Sequence, residues 1–480
     1  MKKSGILMPI ASLPSSYGIG DFGPTAYEFV TLAKKSGLKL WQILPLNMLG
    51  YGNSPYQCYS SKAMDELYIS LDLLVEDGLL KKVESFQSDS TSINYEEVRK
   101  FKSKYLKEAY HSFKGNKDYE EFLANNNWVK RFGLFITLKK ENGMKCWNEW
   151  DDELIDPNLV SEIVISKYKE EINYECFVQY ILLRQWNKLR EYVNSQGLEI
   201  MGDIPFYVGL DSDDVWSNQN QFLLDTEGKP TFVAGVPPDY FSEVGQRWGN
   251  PIYNWDLMKE EDFAFWMDRL EYTSKLFDVV RIDHFRAFDT YWKIPSSCPT
   301  AIEGEWIEAP GYQFFDTLYK KYPDMKIIAE DLGLMRPEVY TLRDSYNLMG
   351  MRIVQYSWNP RHMDKDRENL LIYTGTHDNE PMRSWYSNLS RDEKLMSQRY
   401  LKRHGYRQPV IVDSLIQYTL CSNARIAIIS MVDILNCKTD CRINAPGTVG
   451  SPNWEWKLKD FTEFKKSCHK LKRMINNAMR

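Results

Sequence analysis

The stretch Val279–Phe288, VVRIDHFRAF, threads Arg281 and Asp283 through an otherwise apolar run, with His284, Phe285 and Arg286 directly behind. A short apolar run of this kind fits a strand buried on both faces. Arg281 and Asp283 stand two residues apart, so on a strand they share one face. Val280, Ile282 and His284 share the other by the same parity, unless the strand has already ended at His284. An apolar strand that carries its charges at the C-terminal tip suits a barrel of parallel strands, where active sites form at the C-terminal strand ends.

Seven further apolar runs accompany it: Gly5–Ile10, Leu38–Leu46, Leu198–Val208, Lys326–Gly333, Met351–Trp358, Leu370–Asn379 and Arg425–Leu435. Most follow a helix-like segment, such as the amphipathic Ala26–Ser36 or Tyr174–Gly197, where Gly197 supplies the stop. Eight strand–helix units predict an α/β fold, a (β/α)8 TIM barrel. A doubly wound open sheet is the alternative. No glycine-rich phosphate loop follows any strand, which argues against its nucleotide-binding form.

The units are unevenly spaced, and the whole chain, 1–480, reads as one barrel with insertions. Residues 70–172, between the second and third strands, are charged and helix-like and predict a helical subdomain. Residues 209–277, between the third and fourth, hold a Gly-, Pro- and aromatic-rich segment and predict a loop-rich subdomain. The basic tail from about Phe461 predicts a closing helix, with no separate C-terminal β-sandwich.

Composition narrows the function classes. Among 480 residues the net charge is -6 and no long basic run occurs, so neither nucleic acid nor an anionic membrane is expected as a partner. No apolar run approaches the roughly 20 residues of a membrane-spanning helix. The N-terminal MKKSGILMPIASLPSS reads as a first strand, not a signal peptide. Eight scattered cysteines suit free thiols in a reducing cytoplasm. Cys437 and Cys441, in CKTDC, lack a second Cys or His pair at ligand spacing, so no metal is expected. Aromatics reach 14%, which serves a large core and could also supply stacking platforms for sugars.

The strand ends carry acids. The third run holds Asp203, the fourth Asp283, the fifth Glu330 and Asp331, the seventh Asp378. A lone strand-end acid is commonly a cap or turn former, and Asp331 is read as one. The coincidence of Asp283, Glu330 and Asp378 at one face, beside Arg281, His284, His377 and Asn379, asks for more. Arg281 can keep Asp283 ionised, and crowding can keep a second carboxyl protonated. Such a pair across a glycosidic bond makes a retaining glycosidase-type site. A metal site is the competing reading, disfavoured because the histidines are not paired.

Distributed motifs then resemble the 4-α-glucanotransferases (amylomaltase or disproportionating enzyme), relatives of the α-amylase clan. They are SLPSSYGIGDFGP, WQILPL, GNSPYQ, GDIPFYV, AGVPPDYFSEVGQRWGNPIYNW, RIDHFRAF, YWKIP, IIAEDLG, TGTHDN and NAPGTVGSPNWEW. The resemblance implies a cytoplasmic enzyme that moves segments between maltooligosaccharides and other α-1,4-glucans through a covalent glucosyl intermediate. It implies Asp283 as nucleophile, Glu330 as acid/base and Asp378 as transition-state stabiliser. Sugar contacts are implied for Tyr56, Asp203, Arg281 and His377, with Ser54 and Asn379 beside them. Gln246 and Trp248 would belong to a loop over the acceptor side, with Tyr240 and Tyr253 as further stacking rings. Tyr51 would mark a secondary glucan position. Neither metal nor organic cofactor is implied. The chain departs from the family's usual pattern at CYSSKAMDELYISL after Gln57, at Ala287, where glycine is usual, and at Asn53, where aspartate is common. A hydrolase of the amylase clan is the alternative enzyme, and a glucan-binding scaffold the alternative without catalysis.

Overall fold

The computed structural model describes residues 2–87, 91–238, 242–333, 335–363 and 365–480. Eight parallel strands form the central sheet: β1 (Lys3–Leu7), β2 (Leu40–Gln42), β3 (Glu199–Ile204), β4 (Val279–Ile282), β5 (Ile327–Ala329), β6 (Gly350–Ile353), β7 (Leu370–Tyr373) and β8 (Ile426–Ser430). Each overlaps one of the eight apolar runs, with starts and ends displaced by a few residues. They pair in the order β6-β7-β8-β1-β2-β3-β4-β5. A parallel bridge between Ile328 and Met349 joins the two edges, and the Ala329 N–H donates to the Met349 carbonyl at 2.8 Å. The result is a (β/α)8 barrel.

That closing seam is narrow, and Asp331 reinforces it. Asp331 is not a helix cap. It pairs with buried Arg343 and accepts the Met351 N–H at 2.7 Å, tying the end of β5 to β6. A Cβ at Gly350 would come within 2.6 Å of Asp331 Oδ2, so only glycine leaves room for this tie.

Helices cover the barrel: α1 (Pro24–Lys35), α2 (Lys169–Ser195), α3 (Ala264–Leu276), α4 (Gly311–Lys321), α5 (Pro337–Ser345), α6 (Ile411–Leu420) and the closing α7 (Thr462–Asn477). Proline opens α1 and α5 at the first helical position, where its missing N–H costs nothing. Among the described residues between β6 and β7, one helical turn forms, Val354–Ser357. Most tryptophan serves the core, with Trp41, Trp147, Trp186, Trp216 and Trp266 fully buried.

Between β2 and α2 run the helices Tyr95–Ser112, Lys117–Asn125 and Trp128–Glu141. They pack on α2 through rings such as Phe113 and Phe177, 5.1 Å apart. Because α2 starts at Lys169, the last residues of the 70–172 span belong to a barrel helix.

Residues 209–277 hold more order than a loop-rich reading suggests. Phe232–Val236 and Gln246–Pro251 are strands, and α3 lies at the end of the span. The two strands join Thr290–Pro295 and Glu305–Glu308, from beyond β4, in a four-stranded antiparallel sheet. Glycine and proline within FVAGV and QRWGNP disguise the strand pattern, and the pairing partner lies across an intervening barrel strand.

Candidate active site

The β3–β4 register sets Asp203 opposite Arg281. Arg281 is buried and donates through Nη1 to both Asp203 oxygens, at 2.7 and 2.6 Å, and through Nη2 to Asp283 Oδ1 at 2.8 Å. Burial alone would pull the guanidinium's pKa down, but Asp203 and Asp283 outweigh it and fix the cation. Asp203 is sealed, whereas the Asp283 side chain is 34% exposed and opens to the cleft.

The strand stops one residue before Asp283. His284 takes the left-handed conformation at φ 52, so strand parity no longer governs it. Its backbone N–H turns to Glu330 and donates to Oε2 at 2.8 Å. Main-chain bonds flank this contact: Glu330 N–H to the Ile282 carbonyl and Phe285 N–H to the Glu330 carbonyl, both 3.1 Å. Burial, then the negative charge of Asp283, push the Glu330 carboxyl up to about 8, against the pull of Arg281 and the His284 N–H. Near neutral pH it holds its proton.

A second group stands on the β7 side. The Tyr56 hydroxyl donates to Asp203 Oδ2 at 2.8 Å, and its ring stacks on buried His377, centroids 5.0 Å apart. Burial and Asp203 raise the Tyr56 phenol well above its ordinary range, so it remains a donor. Asp378 Oδ1 accepts from Asn444 Nδ2 at 2.6 Å and lies 3.4 Å from His377 Nε2. Arg442 Nη2 holds the Asp378 carbonyl at 2.7 Å.

The structure therefore gathers Tyr56, Asp203, Arg281, Asp283, Glu330, His377 and Asp378 at the C-terminal mouth of the barrel. Trp248 reaches this group from the antiparallel sheet, its ring edge-on to His284 at 4.8 Å, and its Nε1 donates to Gln246 Oε1 at 3.2 Å. Ser54 and Asn379 have local duties: Ser54 Oγ accepts the Tyr56 N–H, and Asn379 Oδ1 accepts from Thr376 N and Oγ1. Tyr51 stands apart, 79% exposed on the turn Tyr51–Asn53. Tyr253 is no stacking platform. It is buried, with its hydroxyl donated to the Phe206 carbonyl at 2.6 Å. Tyr240 lies outside the described residues.

Three residues at the site were not anticipated from the sequence. Asn444 and Arg442 anchor Asp378. Trp454 stands 5.9 Å from Tyr56 and 5.8 Å from His377 between ring centroids. Asn444 and Trp454 belong to the NAPGTVGSPNWEW motif, which was the available signal. His284, expected from the sequence beside the acids, has an imidazole that burial lowers to about 4, leaving a neutral ring. Its Nε2 has no hydrogen-bond partner among the described residues. The described residues contain no group of acids, histidines or cysteines able to hold a metal ion.

Comparison with known proteins agrees with this geometry. A family profile described as 4-alpha-glucanotransferase matches residues 8–463. A 4-alpha-glucanotransferase from Aquifex aeolicus is 39% identical over 480 residues, covering 98% of each chain. Its counterpart from Thermus thermophilus is 40% identical over 473 residues, covering 95% of this chain and 94% of that one. Among solved structures, an amylomaltase from Streptococcus agalactiae in complex with acarbose superposes with a TM-score of 0.94 at 36% identity, over the full length of both chains. With catalytic-type carboxylates at the barrel mouth and likeness along nearly its whole length, the chain belongs to the 4-alpha-glucanotransferase family.

Proposed function

We propose that the Arg281-centred carboxylates and the protonated Glu330 carry out a retaining double displacement on α-1,4-glucans. In the first step Glu330 gives its proton to the glycosidic oxygen. Asp283, with one oxygen held by Arg281 and its other side open, attacks the anomeric carbon. The product is a β-glucosyl ester on Asp283 and a shortened glucan that departs. Forming the ester removes the Asp283 charge, the second cause of the raised Glu330 pKa. Glu330 then loses affinity for protons and serves as base for the incoming 4-hydroxyl. Asp378, fixed by Asn444 and Arg442, faces the sugar and offsets positive charge on the oxocarbenium-like transition state. Tyr56 and His377 offer a flat stacked surface to the same sugar.

The observation that carries this reading is the division of labour between two neighbouring carboxyls. One is paired to an arginine, and the other is held protonated by burial and by its neighbour's charge. Transfer, as opposed to hydrolysis, follows from family membership. Donors and acceptors are maltooligosaccharides, including the segment released in a previous turnover. Eight free cysteines support a place in the cytoplasm, and no helix among the described residues is long and apolar enough to cross a membrane.

The assay is incubation of the pure protein with maltotriose. A ladder of longer maltodextrins plus glucose is expected, and Asp283→Asn should abolish it. Glucose and maltose as sole products would indicate a hydrolase, and substantial turnover by the variant would remove Asp283 from its role.

A further inference from the structure

Two cavities, of about 260 and 300 Å³, lie between α3 and the helix Trp128–Glu141. Lys62 and Asp268 line both, and their ion pair is the wall that the two share. Neither Tyr51 nor any of the residues gathered at the barrel mouth lines either cavity. Lys62 belongs to the stretch after Gln57 where the chain departs from the family's usual pattern.

The smaller cavity is lined by two acceptors in need of donors. Asp213 Oδ1 and Gln221 Oε1 have no hydrogen-bond partner among the described residues, although the two residues are only 4% and 5% exposed. A buried polar atom left unpaired is costly, so such a pair marks a place suited to a ligand's donors. The Gln221 amide cannot turn round to escape this. Its Nε2 donates to Glu261 Oε2 at 2.7 Å, and a carboxylate there only accepts. Asp214, beside Asp213, is already engaged, accepting the Ser61 N–H at 2.6 Å. Burial, then the charge of Asp214, push the Asp213 carboxyl up to about 8, against Arg131 and Lys62. Near neutral pH it is uncharged, which suits neutral hydroxyls better than a cation. The larger cavity adds rings and amides: Trp128 and Tyr272, centroids 5.4 Å apart, with Asn125, Asn126 and Asn187. Carboxyls and amides can each serve neighbouring hydroxyls of a sugar, and rings pack on its apolar faces.

We propose that the two cavities form a secondary binding site for α-1,4-glucan chains. One glucose unit occupies the smaller cavity, its hydroxyls bonded to Asp213 and Gln221, and the chain continues past Lys62 and Asp268 toward Trp128 and Tyr272. The inference rests on the glucan substrate class proposed above.

The test is amide hydrogen exchange, read by mass spectrometry on the unaltered full-length protein with and without maltotriose. Disproportionation only turns one α-1,4-glucan into others, so the ligand class persists during labelling. Peptides covering residues 125–131, 213–221 and 261–272 should exchange at least about threefold more slowly with the sugar, alongside those at the barrel mouth. Ala264→Trp places a bulky ring in the smaller cavity from an exposed position at the start of α3. It should erase the protection of residues 213–221 and 261–272, keep that of the barrel mouth and leave maltotriose turnover unchanged. Two outcomes overturn the proposal. In one, exchange in the three peptides stays unmoved at every maltotriose concentration up to its solubility, and the cavities hold water only. In the other, protection of residues 213–221 and 261–272 persists in Ala264→Trp, and it spreads from the barrel mouth. The first reading uses the unaltered protein, so it does not depend on how the variant folds. Failure of the glucan reading would show instead as an unprotected barrel mouth together with no disproportionation of maltotriose, so the two failures are separable.

Discussion

The backbone N–H of His284 donates to Glu330 Oε2 at 2.8 Å. His284 directly follows Asp283, so the peptide unit that ends the proposed nucleophile's residue also positions the proposed acid. Two main-chain bonds on either side lock the same register. Separation of the two carboxyls is therefore set by strand pairing, the stiffest part of the barrel, and not by flexible loops.

The Glu330 value of about 8 gives the pH profile a defined basic limb. With maltotriose as donor, kcat/KM should fall as pH rises through about 8, because the acid loses its proton. A maltosyl fluoride donor releases fluoride without protonation, so its basic limb should flatten. Equal limbs for both donors would mean that another group titrates there.

The same shift bears on stability. Folded Glu330 holds its proton more tightly than an ordinary carboxyl at 4.5, so the protein loses stability as pH climbs from about 4.5 to about 8. Glu330→Gln has nothing to titrate. Its advantage over the unaltered protein should grow across that window and level off above it. We expect on the order of 2 kcal/mol, less than the full shift implies because part of the side chain faces the open cleft. Melting curves at pH 5 and pH 9 check this, and an offset equal at both would contradict it.

Arg281 serves two carboxylates with one planar fork, which an ammonium cannot copy. Arg281→Lys should lower kcat at least about a hundredfold while the protein still folds. Arg281→Met leaves buried Asp203 without its cation and should cost about 3–5 kcal/mol. Adding Asp203→Asn should restore much of the stability but none of the activity. Denaturant titrations and turnover numbers on the three variants separate the effects.

His284 sits in the left-handed region, where asparagine is tolerated and branched side chains are not. His284→Asn should unfold within about 1 kcal/mol of the unaltered protein, and His284→Val about 1–2 kcal/mol earlier. Equal stability for both would show that the turn relaxes.

Asn444→Ala removes the donor from Asp378 Oδ1 without touching Asp283 or Glu330. We expect kcat to fall by about ten- to a hundredfold with KM little changed. A rise in KM alone would recast Asn444 as a sugar contact.

Much of this was legible in the amino-acid sequence because it is local. Apolar runs mark buried strands, and acids at their ends mark the catalytic face, so the eight strands and the acids Asp203, Asp283, Glu330 and Asp378 could be read directly. Arg281 and Asp283 share a face by strand periodicity alone. Only the tertiary structure decided what depends on distant chain segments. The antiparallel sheet pairs strands on either side of β4, and no window of sequence contains both. Asp331 looks like a local cap, yet its partners are Arg343 and the Met351 N–H across the barrel seam. Tyr253 looks like a stacking ring, yet it is packed inside. Asn444 is 66 residues from Asp378 and holds it only because β7 and β8 lie side by side. The protonation of Glu330 is of the same kind. Glutamate brings its ordinary acidity from the sequence, and burial beside Asp283 raises it, because a second negative charge in a poorly solvated cleft is costly wherever the fold places it.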